Sequence, residues 1–295
     1  MSNIKNVAIL GVGKMGAAMA KELVVAGYNV TLWNRNQSAA DQLATAIASP
    51  LLSVAPTAKA ALSNSDLAIC TFTNGVVTQS VLLDDSSVLD GVKANLIIVD
   101  MGTSGVESAH ALAAALSAKK IAFIDAPVSG SVATIAAHQL LVMASGNKSE
   151  IDQASVVFSA FAKKTAFLGA AGAGQAMKLA VNLIVHTLSA AVSEGLALAT
   201  ANGIEASAAY DVLEESVIAA PFVKYKRAAF LEPEAPVAMR IDTVLKDLGL
   251  ILDLGQASQT PLTAATGVRE LYAHAASAGF DAADMAALFR YIRES

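Results

Sequence analysis

Short apolar runs alternate with helical spacing over the first part of the chain. Val7–Leu10 is wholly apolar and stops at Gly11, a pattern typical of a strand buried on both faces of a parallel sheet. Similar runs predict strands at Asn29–Trp33, Leu67–Phe72, Leu96–Asp100, Ile121–Asp125 and Leu140–Met143. Helical patterns lie between them over residues 14–26, 37–48 and 104–118, the last with Ser104 as its N-cap. Strands that alternate with helices predict a doubly wound α/β sheet.

The pattern changes after about residue 168. Residues 172–202 keep helical spacing without a strand-like break, so they predict one long helix. Each later segment also predicts a helix, at residues 205–217, 221–230, 239–256, 262–277 and 281–293. We therefore predict two domains, an α/β domain over residues 1–168 and an all-helical domain over residues 169–295, joined by the long helix.

Composition narrows the function classes. A net charge of −5 argues against an extended nucleic-acid-binding face. Charged residues make up only 15% of the chain although 55% is hydrophobic, which favours burial between subunits and predicts a homodimer or homotetramer. No uninterrupted apolar run reaches the roughly 20 residues that cross a bilayer, so no membrane partner is expected.

The single cysteine and the first residues of the chain bear on the compartment. With Cys70 alone no intrachain disulfide can form, which fits a reducing setting. Met1–Asn6 lacks the basic region, apolar core and cleavage site of a secretory signal. We expect a cytoplasmic protein.

A GxGxxG pattern follows the first predicted strand and opens the first helix. In a dinucleotide-binding turn, Gly11 allows the tight turn, Gly13 lets the pyrophosphate approach, and Gly16 lets the helix pack on the strand. The helix N-terminus then offers N–H groups to the anion. An ordinary strand-to-helix turn is the alternative, and the register of all three glycines favours the cofactor. The predicted cofactor contacts of this turn are Gly11, Val12, Gly13, Lys14, Met15 and Gly16.

The end of the second strand discriminates between NAD and NADP. NAD enzymes usually have an acidic residue there, which binds the ribose 2′-hydroxyl. This chain has Asn34 and Arg35 instead, and a guanidinium can pair with a 2′-phosphate. The position therefore favours NADP over NAD, and a solvated loop arginine is the alternative.

Lys178 and Asn182 lie four residues apart on the long predicted helix and so share one face. Apolar residues surround the lysine along the helix. Desolvation lowers the pKa of an amine, so a lysine in this setting can exchange a proton near neutral pH. A lysine that reaches from the apolar helix to solvent fits the pattern equally well.

Four motifs in order resemble the β-hydroxyacid dehydrogenase family over essentially the whole chain. They are Gly11–Gly16, Asp125–Ser131, Gly172–Asn182 and Lys246–Leu248. The resemblance implies an N-terminal Rossmann domain and a helical C-terminal domain like that of 6-phosphogluconate dehydrogenase. It also implies hydride transfer between a nicotinamide and a small carboxylate-bearing substrate of the 3-hydroxyisobutyrate, glyoxylate or succinic semialdehyde type.

The resemblance also implies residue roles. Lys178 is the expected general acid or base, with Asn182 and Asp247 as further catalytic residues. Substrate contacts are expected at Ser129, Gly130, Ser131 and Asn182. Further cofactor contacts are expected at Asn74, Thr103 and Lys246, in addition to Asn34 and Arg35.

The chain departs from the family pattern at several positions, which are Thr73, Gly102, His138-Gln139 and Met239. The last two bear on the substrate, not on the reaction type. The four histidines are dispersed and predict no metal site, and His186 is interpreted as a packed or interface histidine. Two alternatives stay open. One is an imine reductase of the same architecture, which generally has another residue where Lys178 stands; the other is a non-catalytic NADP-binding module.

Overall fold

A nine-stranded, mostly parallel sheet forms the N-terminal part of the computed structural model, which describes residues 4–295. Part of the segment on which the cytoplasmic expectation rests, Met1–Asn3, lies outside the described residues. The strands are β1 Asn6–Leu10, β2 Asn29–Trp33, β3 Leu52–Val54, β4 Leu67–Cys70, β5 Ile97–Asp100, β6 Ala122–Asp125, β7 Val128–Ser129, β8 Leu140–Gly146 and β9 Ala162–Phe167.

The strand order is that of a doubly wound fold. Neighbours in the sheet follow the order β3-β2-β1-β4-β5-β6-β8-β7, and β9 pairs with β8. All pairings from β3 to β6 are parallel, whereas β8 runs antiparallel to β6 and β7. β4 and β5 are buried throughout, and β1 and β6 are buried except at their first residues, because helices cover both faces of a parallel sheet. The predicted α/β sheet is confirmed.

Seven α-helices accompany the sheet within residues 4–172. They are α1 Lys14–Val25, α2 Gln37–Ile47, α3 Ala58–Ser63, α4 Gly75–Gln79, α5 Val106–Ala118, α6 Val132–Ala136 and α7 Lys148–Phe158. The predicted cap at Ser104 is wrong, since α5 begins at Val106 with Gly105 in the N-cap position. The backbone N–H of Ser104 instead donates to the side chain of Gln175, at 3.0 Å. Seven elements, most of them short, do not follow from the sequence pattern: β3, β7, β9, α3, α4, α6 and α7.

The rest of the chain is helical, as predicted. The helices are α8 Ala173–Ala201, α9 Ala206–Glu215, α10 Pro221–Leu231, α11 Ile241–Ala257, α12 Thr263–Ala275 and α13 Leu288–Glu294. The predicted final helix over 281–293 is shorter, because Asp284 accepts from the Ala286 N–H and starts a 3₁₀ turn before α13. By length and composition alone α8 could cross a membrane; its residues Leu179, Val192 and Leu196 are buried in the helical core, whereas Ile184 and Leu198 are exposed.

The chain forms two compact units, residues 1–178 and residues 179–295. The first contains two apolar clusters, one on each face of the sheet, and the second a single cluster between its helices. The division falls within α8, between Lys178 and Leu179, whereas the boundary predicted from the sequence lies before this helix, after residue 168. The same helix therefore contributes residues to both units.

Candidate active site

The turn between β1 and α1 has the geometry that a pyrophosphate requires. Gly11 adopts a φ of +96°, which favours glycine. A Cβ on Gly16 would lie 2.2 Å from the Gly11 carbonyl oxygen, so only glycine lets helix and turn pack so closely. At Gly13 a Cβ would meet nothing within 4 Å, and this residue is exposed at the N-terminus of α1. The turn thus leaves open space beside the N-terminus of α1, which fits a dinucleotide phosphate.

Asn34 and Arg35 follow β2, beside this turn. The Asn34 side chain accepts from the Val12 N–H at 3.1 Å and donates to the Asn36 carbonyl at 3.0 Å. Asn34 therefore fixes the glycine turn itself. Arg35 is exposed, and among residues 4–295 it has no ion-pair partner. Its guanidinium is available to an anion that comes from outside the chain.

Asn74 and Thr103 lie in the two segments that follow β4 and β5. Asn74 caps α4, since its side-chain oxygen accepts from the Val77 N–H at 2.9 Å. Thr103 lies half-buried after β5, whose carboxyl end is at the same sheet edge as that of β4. Parallel strands present their carboxyl ends, and hence both segments, on the same side as the glycine turn after β1.

Gln175 holds the segment that contains Thr103, a role that the sequence analysis missed. Its side chain is fully buried. The side-chain oxygen accepts from the N–H groups of Ser104 and Gly105, at 3.0 and 3.2 Å, and the amide nitrogen donates to the Gly102 carbonyl at 3.0 Å. The glutamine inside the Gly172–Asn182 motif was the available signal, but nothing in the sequence indicates its partners.

Asp125, at the end of β6, anchors the start of α8. Its carboxylate accepts from the N–H groups of Gly172 and Gln175, at 2.9 and 3.0 Å, and from the Ser145 hydroxyl. The Ser145 oxygen in turn accepts from the Gly174 N–H at 2.9 Å. A buried carboxylate at a helix N-terminus is favourable because it meets unpaired N–H groups and the positive end of the helix dipole.

Two glycines at the start of α8 permit this close approach. A Cβ on Gly174 would lie 2.5 Å from the Met143 carbonyl oxygen and 2.8 Å from Asp125 Oδ2. Gly172 has a φ of +96°, and a Cβ there would lie 2.4 Å from His110 Nε2. The first turn of α8 therefore packs directly against the backbone of β6 and β8.

Lys178 lies half-buried on the next turn of α8, and Asn182 lies buried one turn further. The flanking residues differ in exposure, since Leu179 is buried and Met177 is exposed. The four-residue spacing on a continuous helix places both polar side chains on one face, as the sequence predicts. Because Asp125 fixes the start of the helix, it also fixes the position of the Lys178 backbone.

Ser129, Gly130 and Ser131 connect β7 with the short helix α6. Gly130 has a φ of +143°, and a Cβ there would lie 2.2 Å from Thr134 Oγ1. The Thr134 hydroxyl accepts from the Ser131 N–H at 2.7 Å and donates to the Ser131 carbonyl at 2.8 Å. Gly130 is exposed and the two serines are half-buried, so the turn is rigid and accessible.

In the helical unit, Asn182, Asp247 and Lys246 form one polar group. Asn182 Nδ2 donates to Asp247 Oδ2 at 2.7 Å, and Lys246 Nζ lies 2.9 Å from Asp247 Oδ1. Burial disfavours the charged carboxylate, but the facing His186 and the neighbouring Lys246 outweigh this and hold the pKa of Asp247 below its usual range. Asp247 is therefore ionised at neutral pH and accepts hydrogen bonds only.

His186 joins this group, which the sequence analysis did not predict. It lies one turn beyond Asn182 on α8, its side chain is 1% exposed, and its Nε2 is 3.6 Å from Asp247 Oδ2. The interpretation as a packed histidine describes its burial and omits its charged neighbour. The i, i+4 spacing from Asn182 was the signal in the sequence.

Comparisons with known proteins bear on both parts of the chain. Residues 6–169 match the family model described as the NAD binding domain of 6-phosphogluconate dehydrogenase, and residues 172–292 match that described as NAD-binding of NADP-dependent 3-hydroxyisobutyrate dehydrogenase. The chain belongs to the β-hydroxyacid dehydrogenase family. This β-hydroxyacid dehydrogenase is thus an oxidoreductase with a nicotinamide cofactor, and the resemblance found in its sequence is confirmed.

Individual relatives of this β-hydroxyacid dehydrogenase cover nearly its full length. Glyoxylate/succinic semialdehyde reductase 1 of Arabidopsis thaliana is 30% identical over 289 residues, which are 98% of this chain and 99% of the relative. The solved 3-hydroxyisobutyrate dehydrogenase of Mycobacterium tuberculosis has a TM-score of 0.84 at 26% identity, with 98% and 99% of the two chains covered. An imine reductase from a Pseudomonas species has a TM-score of 0.66 at 25% identity, with coverages of 98% and 99%.

Proposed function

We propose that this enzyme reduces a small semialdehyde acid to the corresponding hydroxy acid with NADPH, and catalyses the reverse oxidation, with Lys178 as the general acid and base. The observation that carries the proposal is the placement of Lys178 and Asn182 on one face of α8, whose start is fixed by a buried carboxylate. The relative from Arabidopsis, named as a glyoxylate and succinic semialdehyde reductase, supports the substrate class.

Lys178 supplies the proton in this mechanism. The bound nicotinamide supplies the hydride that reduces the carbonyl carbon. As negative charge develops on the carbonyl oxygen, the Lys178 ammonium donates a proton to it, and the neutral amine takes a proton back in the oxidation. A lysine that is half-buried on a fixed helix suits this task because it is held in place and still reaches substrate.

The turn at Ser129 and Gly130 binds the substrate carboxylate in this proposal. It offers the Ser129 hydroxyl and the backbone N–H of the exposed Gly130, where glycine is required because a Cβ would lie 2.2 Å from Thr134 Oγ1. Asn182 presents its amide oxygen to the substrate, because its nitrogen donates to Asp247. Asp247 supports the Asn182 side chain from α11, and Lys246 pairs with Asp247.

NADP is the proposed cofactor. The glycine turn offers the pyrophosphate site, and Thr103 lies in a segment clamped by Gln175 at the same edge of the sheet. Arg35 is exposed after β2, where an NAD enzyme would have an acidic residue. A guanidinium at this position favours the 2′-phosphate of NADP through charge-assisted hydrogen bonds.

Replacement of Lys178 tests the mechanism. We expect Lys178→Met to lower kcat on succinic semialdehyde and glyoxylate by about 100-fold or more, because the proton donor is lost. The Kd of NADPH, measured by fluorescence titration, should stay within about twofold of wild type. Lys164→Met, at an exposed lysine of β9, is the matched control and should retain full activity.

Three results would contradict parts of the proposal. Near wild-type kcat in Lys178→Met removes the lysine from the chemistry. Turnover of a cyclic imine in preference to the semialdehyde acids identifies an imine reductase. Tight NADPH binding by the wild type without turnover of any short aldehyde acid identifies a non-catalytic binding module.

A further inference from the structure

His186 is a buried titratable side chain that the proposed mechanism does not use. It follows Asn182 by one turn of α8 and faces α11, on which Asp247 lies. Its side chain is 1% exposed, and neither ring nitrogen makes a hydrogen bond shorter than 3.5 Å to the described part of the chain. Burial of an imidazole without a hydrogen-bond partner is unfavourable. The groups that face His186 must therefore account for its role.

The carboxylate of Asp247 on α11 faces His186. Asp247 Oδ2 lies 3.6 Å from Nε2, and the same oxygen accepts the hydrogen bond from Asn182 Nδ2 at 2.7 Å. Lys246 pairs with the other carboxylate oxygen at 2.9 Å. His186 and Asn182, one turn apart, thus approach a single oxygen of a buried carboxylate from the same helix.

We propose that His186 is a positioning residue that acts through Asp247 on the side chain of Asn182. An ionised carboxylate accepts only, so Asn182 must turn its nitrogen to Asp247 and its oxygen the other way. The imidazole restrains the carboxylate oxygen that selects this orientation. The consequence for catalysis rests on the proposed function, in which the Asn182 oxygen contacts substrate.

Two substitutions of His186 separate this role from packing. His186→Leu removes both ring nitrogens and keeps a side chain that can fill the buried space, and the melting temperature of the variant reports any loss from packing. We expect it to lower kcat/KM for succinic semialdehyde about 10-fold, with the KM for NADPH within about twofold. His186→Gln places an amide nitrogen near the position of Nε2 and should recover kcat/KM to within about threefold of wild type.

A matched control lies two turns further along the same helix. Ser193 is buried, and its hydroxyl donates to the Ser189 carbonyl at 2.9 Å rather than to Asp247. Ser193→Ala perturbs the interior of α8 and should leave kcat/KM unchanged. If this variant loses as much activity as His186→Leu, the effect is one of helix packing and the proposal is overturned.

A double-mutant cycle tests the route through Asp247. If His186 acts through this carboxylate, adding His186→Leu to Asp247→Asn should change kcat/KM by less than about twofold, because the intermediary is already lost. If the two residues act independently, His186→Leu should lower kcat/KM by about a further 10-fold in the Asp247→Asn variant. That result would overturn the proposal that His186 acts through Asp247.

The orientation of Asn182 provides a readout that needs no turnover. The ¹⁵N-edited spectra of the variants are compared with that of the wild type. In Asp247→Asn, the resonances of the Asn182 side-chain amide and of the His186 ring nitrogens should both shift. In His186→Leu, the Asn182 amide resonance should shift. An unchanged Asn182 resonance in His186→Leu overturns the proposal. If these shifts occur but no semialdehyde acid is turned over, the coupling is upheld and the proposed substrate class fails.

Discussion

At the residue scale, the buried side chain of Gln175 organises three backbone groups at once. It accepts from two N–H groups and donates to one carbonyl, all within residues 102–105. A glutamine is suited to this because its amide has both an acceptor and donors. The position of Thr103, a predicted cofactor contact, therefore depends on a side chain far away in the sequence.

Replacement of Gln175 should couple stability to cofactor affinity. Gln175→Leu keeps the volume and leaves the three backbone groups unpaired, which should lower the free energy of unfolding by roughly 2 to 4 kcal/mol. The KM for NADPH should rise, because the Thr103 segment loses its support. Gln175→Glu retains the acceptor and loses the donor, so its free energy of unfolding should lie between those of the wild type and Gln175→Leu. Urea denaturation measures the first effect, and an unchanged midpoint in Gln175→Leu would contradict it.

Arg35 should decide between the two nicotinamide cofactors. Arg35→Ala removes a charge-assisted contact with a 2′-phosphate, so the KM for NADPH should rise by roughly 10- to 100-fold, with the KM for NADH nearly unchanged. Lys21→Ala, at an exposed lysine of α1, is the control for loss of surface charge. Steady-state kinetics with both cofactors give the answer, and equal changes for NADPH and NADH would exclude recognition of the 2′-phosphate.

At the element scale, buried carboxylates hold the ends of helices in both units. Asp125 fixes the start of α8 in the first unit. In the helical unit, Asp284 accepts from the N–H groups of Ala238, Met239 and Ala286. It also pairs with Lys226 at 2.6 Å, with the two side chains only 3% and 7% exposed. The loop between α10 and α11 is therefore attached to the turn before α13.

The Lys226–Asp284 pair should make stability depend on pH. Burial disfavours the charged form of Asp284, but Lys226 and the backbone N–H groups outweigh this and lower its pKa from the usual 3.8. A carboxyl with a lowered folded-state pKa stabilises the fold above its unfolded-state pKa, and this contribution is lost as the pH falls. The melting temperature should thus drop below about pH 4, and less steeply in Lys226→Met.

The same substitution has a predicted size at neutral pH. Lys226→Met leaves a buried carboxylate without its cation, so the free energy of unfolding should fall by about 3 to 5 kcal/mol. The control is Lys148→Met, since Lys148 and Asp152 form an exposed pair on α7 that should contribute less than about 0.5 kcal/mol. Similar losses of unfolding free energy in the two variants would show that the buried pair stabilises the fold no more than the exposed pair does.

At the scale of the whole molecule, the helical unit exposes large apolar side chains. They include Ile184 and Leu198 on α8, Val212 on α9, and Val217 and Tyr225. Exposed apolar surface of this kind often marks an interface between subunits. This exposure agrees with the low fraction of charged residues in the sequence. The homodimer or homotetramer remains a prediction.

Light scattering tests the assembly. We expect a mass of two or four times the 30.1 kDa of the chain, and a smaller mass for Leu198→Lys, which places a charge on the exposed face of α8. Val25→Lys is the control, because Val25 is 73% exposed, similar to Leu198 at 69%, but lies in the first unit. A wild-type mass of 30.1 kDa at micromolar concentration would refute the oligomer.

Periodicity and local motifs were enough to predict most of the fold. The strand β2 was predicted with its observed bounds, and the helices α1, α2 and α8 to α12 within a few residues of theirs. Buried parallel strands and long helices leave a strong pattern because many residues repeat the same burial. Short elements such as β7 and α6 were missed, since a few residues do not establish a period.

The sequence by itself determined the glycine turn, the shared face of Lys178 and Asn182, and the cation after β2, because each depends on neighbours within a few residues. Only the tertiary structure decided that Asp125 anchors α8, that Gln175 clamps the Thr103 segment, and that His186 faces Asp247. These contacts join residues about 50 to 70 positions apart, and the identity of a buried polar residue does not specify its partner. The local motifs can therefore be read from the order of the residues, whereas the long-range contacts that hold them form only when the strands and helices pack.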